Sequence, residues 1–139
     1  LKEIGFLATV EELNELELAI SKTLNNPDGR WILGSHNSTQ VEYSINYKLR
    51  QNGQLHRSTI DLTFVENGYR WIIDYKLSAP KDNQSIAIFL EDQIARYSHQ
   101  LDHYARLYSN IEDRDIRVAL YFPLIAKFLE YKYYSTVKD

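Results

Sequence analysis

The sequence predicts an α/β fold with a mixed sheet, in which an antiparallel three-stranded meander is flanked by helices. Three observations carry that expectation. Two Asn-Gly pairs, Asn52-Gly53 and Asn67-Gly68, divide three strand-like runs. Asn-Gly is the strongest short hairpin signal, because a type I′ turn needs positive φ at both central positions. Downstream, the stretch from about Ile88 to Ser109 carries Leu90, Ile94, Tyr97, Leu101, Tyr104 and Tyr108 on one helical stripe. After it comes Ile116 to Phe122, a strongly apolar run stopped by Pro123, which reads as a buried strand.

Each element has its own signal. Thr9 followed by Glu12 forms a capping box. Val10, Leu13, Leu16, Ala19, Ile20 and Leu24 then recur at helical spacing. Asn25-Asn26-Pro27-Asp28-Gly29 ends that helix. Trp31-Ile32-Leu33 reads as a short buried segment, and Gly34 to Thr39 as a loop. The meander strands are expected at about Gln40 to Arg50, Leu55 to Val65 and Tyr69 to Leu77. Leu77 to Ala87 is polar, contains Pro80 and reads as a loop. Lys127 to Thr136 alternates as a last strand.

A chain of 139 residues, 44% hydrophobic and 25% charged, fits one globular domain, here 1–139. The absence of cysteine excludes disulfides, thiol nucleophiles and cysteine-held zinc or iron–sulfur clusters. It fits a reducing, cytoplasmic setting. No apolar run approaches the roughly 20 residues a bilayer span needs, so no membrane role is expected. The chain has no methionine, even at position 1, and reads as a piece of a larger protein. A net charge of −3 argues against a general nucleic-acid coat protein. It leaves room for a nuclease, whose carboxylates lower the net charge while basic groups gather locally. No Gly-rich phosphate loop or Walker lysine is present, so ATP hydrolysis is not expected of this chain.

The informative residues are Asp61, in Ser58-Thr59-Ile60-Asp61-Leu62, and Asp74 and Lys76, in Trp71-Ile72-Ile73-Asp74-Tyr75-Lys76. Ionised groups in apolar strands cost several kcal/mol unless they are paired, hydrogen-bonded or bound to metal. A two-residue turn at Asn67-Gly68 sets Glu66 against Tyr69, which brings Asp61 opposite Asp74 and Thr59 opposite Lys76. A two-residue turn at Asn52-Gly53 sets Ser44 against Asp61 and Glu42 against Thr63, so Glu42 is diagonal to Asp61. Like charges facing each other across a sheet are destabilising. Three acids on one face therefore ask for a cation beyond Lys76. The other face, with Ile60, Leu62, Phe64, Trp71, Ile73 and Tyr75, is expected to be the core. Carboxylate oxygens suit Mg²⁺ or Mn²⁺, with the Tyr75 carbonyl as a further ligand. Such an ion polarises a scissile phosphate, and a lysine beside it stabilises developing charge.

With Asp61, then Asp74-Tyr75-Lys76, then Gln100-Leu101-Asp102-His103-Tyr104 in view, the chain resembles the PD-(D/E)xK nuclease superfamily, and within it the RecB-type branch marked by Gln-x-x-x-Tyr. The resemblance covers roughly Glu11 to Tyr134. It implies a restriction-endonuclease-like fold, with Asp61 and Asp74 as metal ligands, Lys76 as the catalytic lysine, Gln100 lining the site and Tyr104 supporting it. Glu42 sits where the family often has an acid, and reads equally as an ordinary edge-strand glutamate. Magnesium or manganese, a DNA substrate and a helicase domain in the same or a partner chain are implied with it. The implied activity is DNA hydrolysis, exonucleolytic, in recombinational repair or end processing. The alternatives are a non-catalytic DNA-binding or docking module on the same fold, and a junction resolvase or restriction-type endonuclease. Two departures stand out. Ser58 occupies the place where the family usually has glycine, and nothing upstream of Glu42 matches the histidine many RecB-type domains supply, since His36 lies in a loop.

The remaining residues read more plainly. Tyr97, Tyr104 and Tyr108 at helical spacing are core residues first. His56, His99 and His103 show no zinc-like pattern and read as exposed. Arg57, Arg70, Lys81, Arg96 and Arg106 are candidates for phosphate contact, and each alone reads as a solvated charge.

Overall fold

A computed structural model of the chain describes residues 10–34, 36–48 and 51–133. Among the described residues are three helices, α1 (Val10–Leu24), α2 (Pro27–Leu33) and α3 (Ile86–Ser109). Five strands accompany them: β1 (Asn37–Lys48), β2 (Leu55–Glu66), β3 (Tyr69–Tyr75), β4 (Asp115–Phe122) and β5 (Lys127–Tyr131). The strands form one sheet in the order β1-β2-β3-β4-β5. The β1–β2, β2–β3 and β4–β5 pairs are antiparallel, and β3–β4 is parallel. A parallel pair needs a crossover, and α3 provides it. The α/β class, the mixed sheet and the meander are therefore as the sequence predicts.

Asn67-Gly68 makes the expected turn. Its residues have φ of 53° and 83°, and Glu66 pairs with Tyr69. The first hairpin departs from expectation. Gly53 has a positive φ of 68° but Asn52 does not, so the pair is not a type I′ turn; Lys48 pairs with Leu55, and the register is shifted by two. Ser44 consequently faces Thr59 rather than Asp61. Glu42 falls between the pairs Val41↔Leu62 and Tyr43↔Ile60, across from Asp61 and not across from Thr63. The expected strand end at Arg50 lies outside the described residues, as do the Thr9 cap and the last residues of the expected final strand.

The segment at Asn25–Gly29 is a joint between two helices. The Asn26 side chain accepts from the Gly29 amide at 3.0 Å and caps α2, with Pro27 in the first turn where its missing N–H costs nothing. Trp31-Ile32-Leu33 is thus helical, with Ile32 buried and Leu33 exposed. In α1 the expected apolar stripe is mostly not covered. Ala19 is buried, whereas Val10, Leu13, Ile20 and Leu24 are more than half exposed.

Both faces of the sheet are buried, which corrects the expectation of one apolar face and one chemical face. On one side Ile72, Val118, Leu120 and Phe122 pack against Phe89, Leu101, Tyr104, Ala105 and Tyr108 of α3. On the other, Leu62, Phe64, Trp71, Ile73 and Tyr121 pack against Ile32 of α2. Ile60 lies with the α3 cluster although Leu62, two residues on, lies with the α2 cluster. Strict alternation would keep them together. The strand changes face at Asp61, and across from it Glu42 has a left-handed backbone (φ 49°).

Candidate metal-dependent active site

The change of face at Asp61 builds the site. The β2–β3 ladder stops at Leu62↔Ile73, so β2 no longer offers a backbone acceptor to the next free amide of β3. The Asp61 carboxylate takes that place, accepting from the Tyr75 N–H at 2.9 Å. Asp61 is thereby fixed beside Asp74 without being its ladder partner. The expected convergence of the two aspartates is present, made by a side chain closing the ladder rather than by a paired row.

Asp74 is 5% exposed, on the α3 face of β3. Burial first, and then the Asp61 carboxylate hydrogen-bonded to it, push its pKa up to about 6, with Lys76 pulling the other way. Lys76 lies just past the end of β3, and its N–H donates to the Tyr121 carbonyl at 2.9 Å. Its Nζ is 2.9 Å from Asp74 Oδ2 and 3.8 Å from the centre of the Tyr97 ring. The approach to Oδ2 is an ion pair without hydrogen-bond geometry, and Asp74 Oδ2 has no hydrogen-bond partner although it is buried. Lys76 is not opposite Thr59, because β2 and β3 have parted by that point.

Helix α3 contributes the second half of the site. Ser85 caps it, its hydroxyl accepting from the Ile88 amide at 3.1 Å. One face carries Gln93, Tyr97, Gln100 and Tyr104. Burial, followed by the charges of Asp74 and Asp61, raises the Tyr104 pKa to about 12, with the neighbouring Gln100 amide acting in the opposite direction. Tyr104 therefore keeps its proton and lies within the field of both acids. Gln100 Oε1 is buried and has no hydrogen-bond partner. Tyr97 and Tyr104 belong to the core and the site at once, while Tyr108 is core.

Other expected members fare differently. The Tyr75 ring sits with the α2 cluster, and its pKa rises to about 12, mainly by burial. Only its backbone belongs to the site. Glu42 is exposed. In the β1–β2 register it lies across from Asp61, and among the described residues no three His, Cys, Asp or Glu side chains are grouped to hold a metal. His36 is a buried packing residue on the other face, bonded to Glu66 at 2.7 Å and to the Trp31 carbonyl, and stacked on Phe64. His103 is partly buried rather than exposed, 3.1 Å from Ser58 Oγ. Arg70 is not a solvated charge. It is 5% exposed and forms a two-pronged pair with Glu112 at 2.8 and 3.0 Å.

Sequence reasoning missed Gln93. It is 8% exposed, and its Oε1 accepts from Ser78 Oγ at 3.3 Å, tying the segment after Lys76 to α3. The signal was its spacing, seven residues before Gln100 on the same helical face. A cavity of about 650 Å³, lined by Tyr69, Arg114, Arg117, Glu130 and Tyr131 among others, lies at the opposite end of the sheet and includes none of these groups.

No protein-family model matches the chain, and no curated protein sequence matches it.

Proposed function

We propose that the chain is a metal-dependent deoxyribonuclease of restriction-endonuclease-like fold, acting as an exonuclease in recombinational repair or DNA-end processing beside a helicase domain. The observation that carries this reading is the juxtaposition of Asp61, Asp74 and Lys76, with Gln100 and Tyr104 brought over them by α3.

The donor set fits a hard divalent cation. Asp61, Asp74 and the Tyr75 carbonyl would hold Mg²⁺ or Mn²⁺, and Asp74 Oδ2 and Gln100 Oε1 are buried oxygens that lack a hydrogen-bond partner. Such an ion, when bound, supplies Lewis-acid polarisation of the scissile phosphate. The chain's own groups do the rest. The Tyr75 amide fixes Asp61. Asp74 and the Tyr97 ring hold the Lys76 ammonium, a donor and positive charge for the phosphate. Tyr104 retains its proton as a hydrogen-bond donor.

The test is cleavage of linear and circular DNA with Mg²⁺ or Mn²⁺, by this chain and by any longer parent protein. Lys76→Ala and Asp74→Asn are each expected to lower the rate at least a hundredfold without loss of fold. Cutting by Lys76→Ala at the wild-type rate overturns the assignment. Cleavage of circular DNA points to the resolvase or restriction-type alternative. The Lys76–Asp74 ion pair favours a second reading, a DNA-binding module whose acids are neutralised internally. Metal-independent binding with no cutting by the parent protein identifies that case.

A further inference from the structure

The two polar flanks of α3 differ in charge. On the flank facing the β1–β2 hairpin, Arg96, His99, His103 and Arg106 follow one another at spacings of three and four residues, on one stripe. The opposite flank presents Asp102, which accepts from the Tyr131 hydroxyl of β5 at 3.3 Å. Arg96, His99 and Arg106 are exposed. His103 is partly buried, and burial, then the neighbouring Arg106 and His99, push its pKa down. His103 is thereby a neutral ring near pH 7, anchored to Ser58 at 3.1 Å.

The hairpin continues this surface with aromatic rings. Tyr47 meets His103 edge-on at 5.0 Å between ring centres and lies 5.8 Å from the exposed His56, its cross-strand partner. Arg57, paired with Asn46, alternates to the other face and is not part of this surface. Asp92, one turn before Arg96 on the same stripe, is contacted by the Gln84 amide at 3.4 Å. The stripe borders Gln100 on the side of the two acids.

We propose that this flank of α3, with the Tyr47–His56 pair, is the track for a single nucleic-acid strand: Arg96 and Arg106 hold phosphates and the His56 face takes a base. The proposal rests on the nuclease reading, since the track delivers the strand to that site. The two arginines are about 15 Å apart along the helix axis, enough for several phosphates. Guanidinium groups suit phosphate geometry, and base stacking on aromatic rings is tolerant of sequence. A duplex hides its base faces and gains nothing from His56.

The experiment is fluorescence anisotropy with a short labelled oligothymidylate and a blunt duplex of the same length, in chelator so that no cutting occurs. Arg96→Glu/Arg106→Glu is expected to weaken strand binding at least tenfold. It should also lower the slope of log affinity against log salt by about 1.4, at about 0.7 per lost phosphate contact on single strands. His56→Ala weakens binding of the strand several-fold and of the duplex little. Lys127→Glu, on β5, leaves both within twofold. Unchanged melting temperatures show that the variants fold. Wild-type affinity in the double arginine variant, tighter binding of the duplex than of the strand, or no strand binding by the wild type overturns the proposal. Asp74→Asn separates the two readings, because it is expected to bind the strand normally while failing to cut. A protein that never cuts with Mg²⁺ or Mn²⁺ but loses strand binding with the arginines refutes the nuclease reading and keeps the track.

Discussion

Asp74 shows how one residue can link stability to pH. Its carboxyl has a pKa of about 6, against the usual 3.8, because burial and the Asp61 carboxylate disfavour its charge. A folded pKa above the unfolded one means that the native state holds the proton more tightly. The associated stability is fully present below about pH 4 and is lost as pH rises through 6. The shift corresponds to about 3 kcal/mol. Thermal melts of the metal-free protein should therefore show stability falling between pH 4 and 6, and Asp74→Asn should flatten that fall. If the variant keeps the same pH profile, the carboxyl is not the source. A divalent cation that binds the two aspartates would compete with the proton, so its stabilising effect should be larger at pH 7 than at pH 5. Sequence reading found Asp61, Asp74, Lys76, Gln100 and Tyr104, because charged and amide groups inside apolar patterns are conspicuous. It missed Gln93, since one glutamine on a helix has no local signature until the facing segment, with Ser78, is in place.

At the scale of elements, the joint between α1 and α2 is fixed by a close approach. A Cβ on Gly29 would lie 2.2 Å from the Thr23 carbonyl oxygen and 2.8 Å from the Tyr121 hydroxyl. Neither the backbone oxygen nor the buried ring of β4 can move cheaply. Gly29→Ala should destabilise the protein by about 3 kcal/mol, read as a shift in the denaturant midpoint. An unchanged midpoint would show that the joint relaxes. The hairpins carry a second lesson. Asn67-Gly68 determined its register because both residues occupy the tight turn, with positive φ. Asn52-Gly53 did not, because only Gly53 has positive φ and the pair is not the central pair of a type I′ turn. The shift of two preserves which residues face which side, so it left the hydrophobic pattern intact and gave no warning in the sequence.

At the scale of the whole molecule, Arg70 joins parts distant in sequence. From the start of β3 it reaches Glu112 after α3, the Ser38 carbonyl at 3.3 Å in β1 and Thr63 Oγ1 at 3.3 Å in β2, with its guanidinium over the Tyr108 ring. The Arg70 and Glu112 side chains are 7% and 16% exposed. Glu112 is partly buried and keeps Arg114 at 3.3 Å, so the loss in Arg70→Met is that of the arginine's own bonds to Glu112, Thr63 and Ser38. It should cost about 1–3 kcal/mol in chemical denaturation. An unchanged denaturant midpoint would mean that these bonds contribute nothing net. No helix among the described residues is long and apolar enough to cross a membrane.

The sequence by itself determined the α/β class, the meander, the long helix after it and the residue types of the candidate site. Periodicity, turn chemistry and misplaced charge are local properties of a chain. Tertiary structure decided which face of the sheet holds the candidate site, that Glu42 comes across from Asp61 rather than from Thr63, and that Lys76 rests on Asp74 and Tyr97. It also buried both faces of the sheet, one under α3 and one against α2. Those outcomes depend on where β2 changes face at Asp61 and on how α3 lies across the sheet. Both are settled by packing between segments far apart in sequence, which no local pattern records.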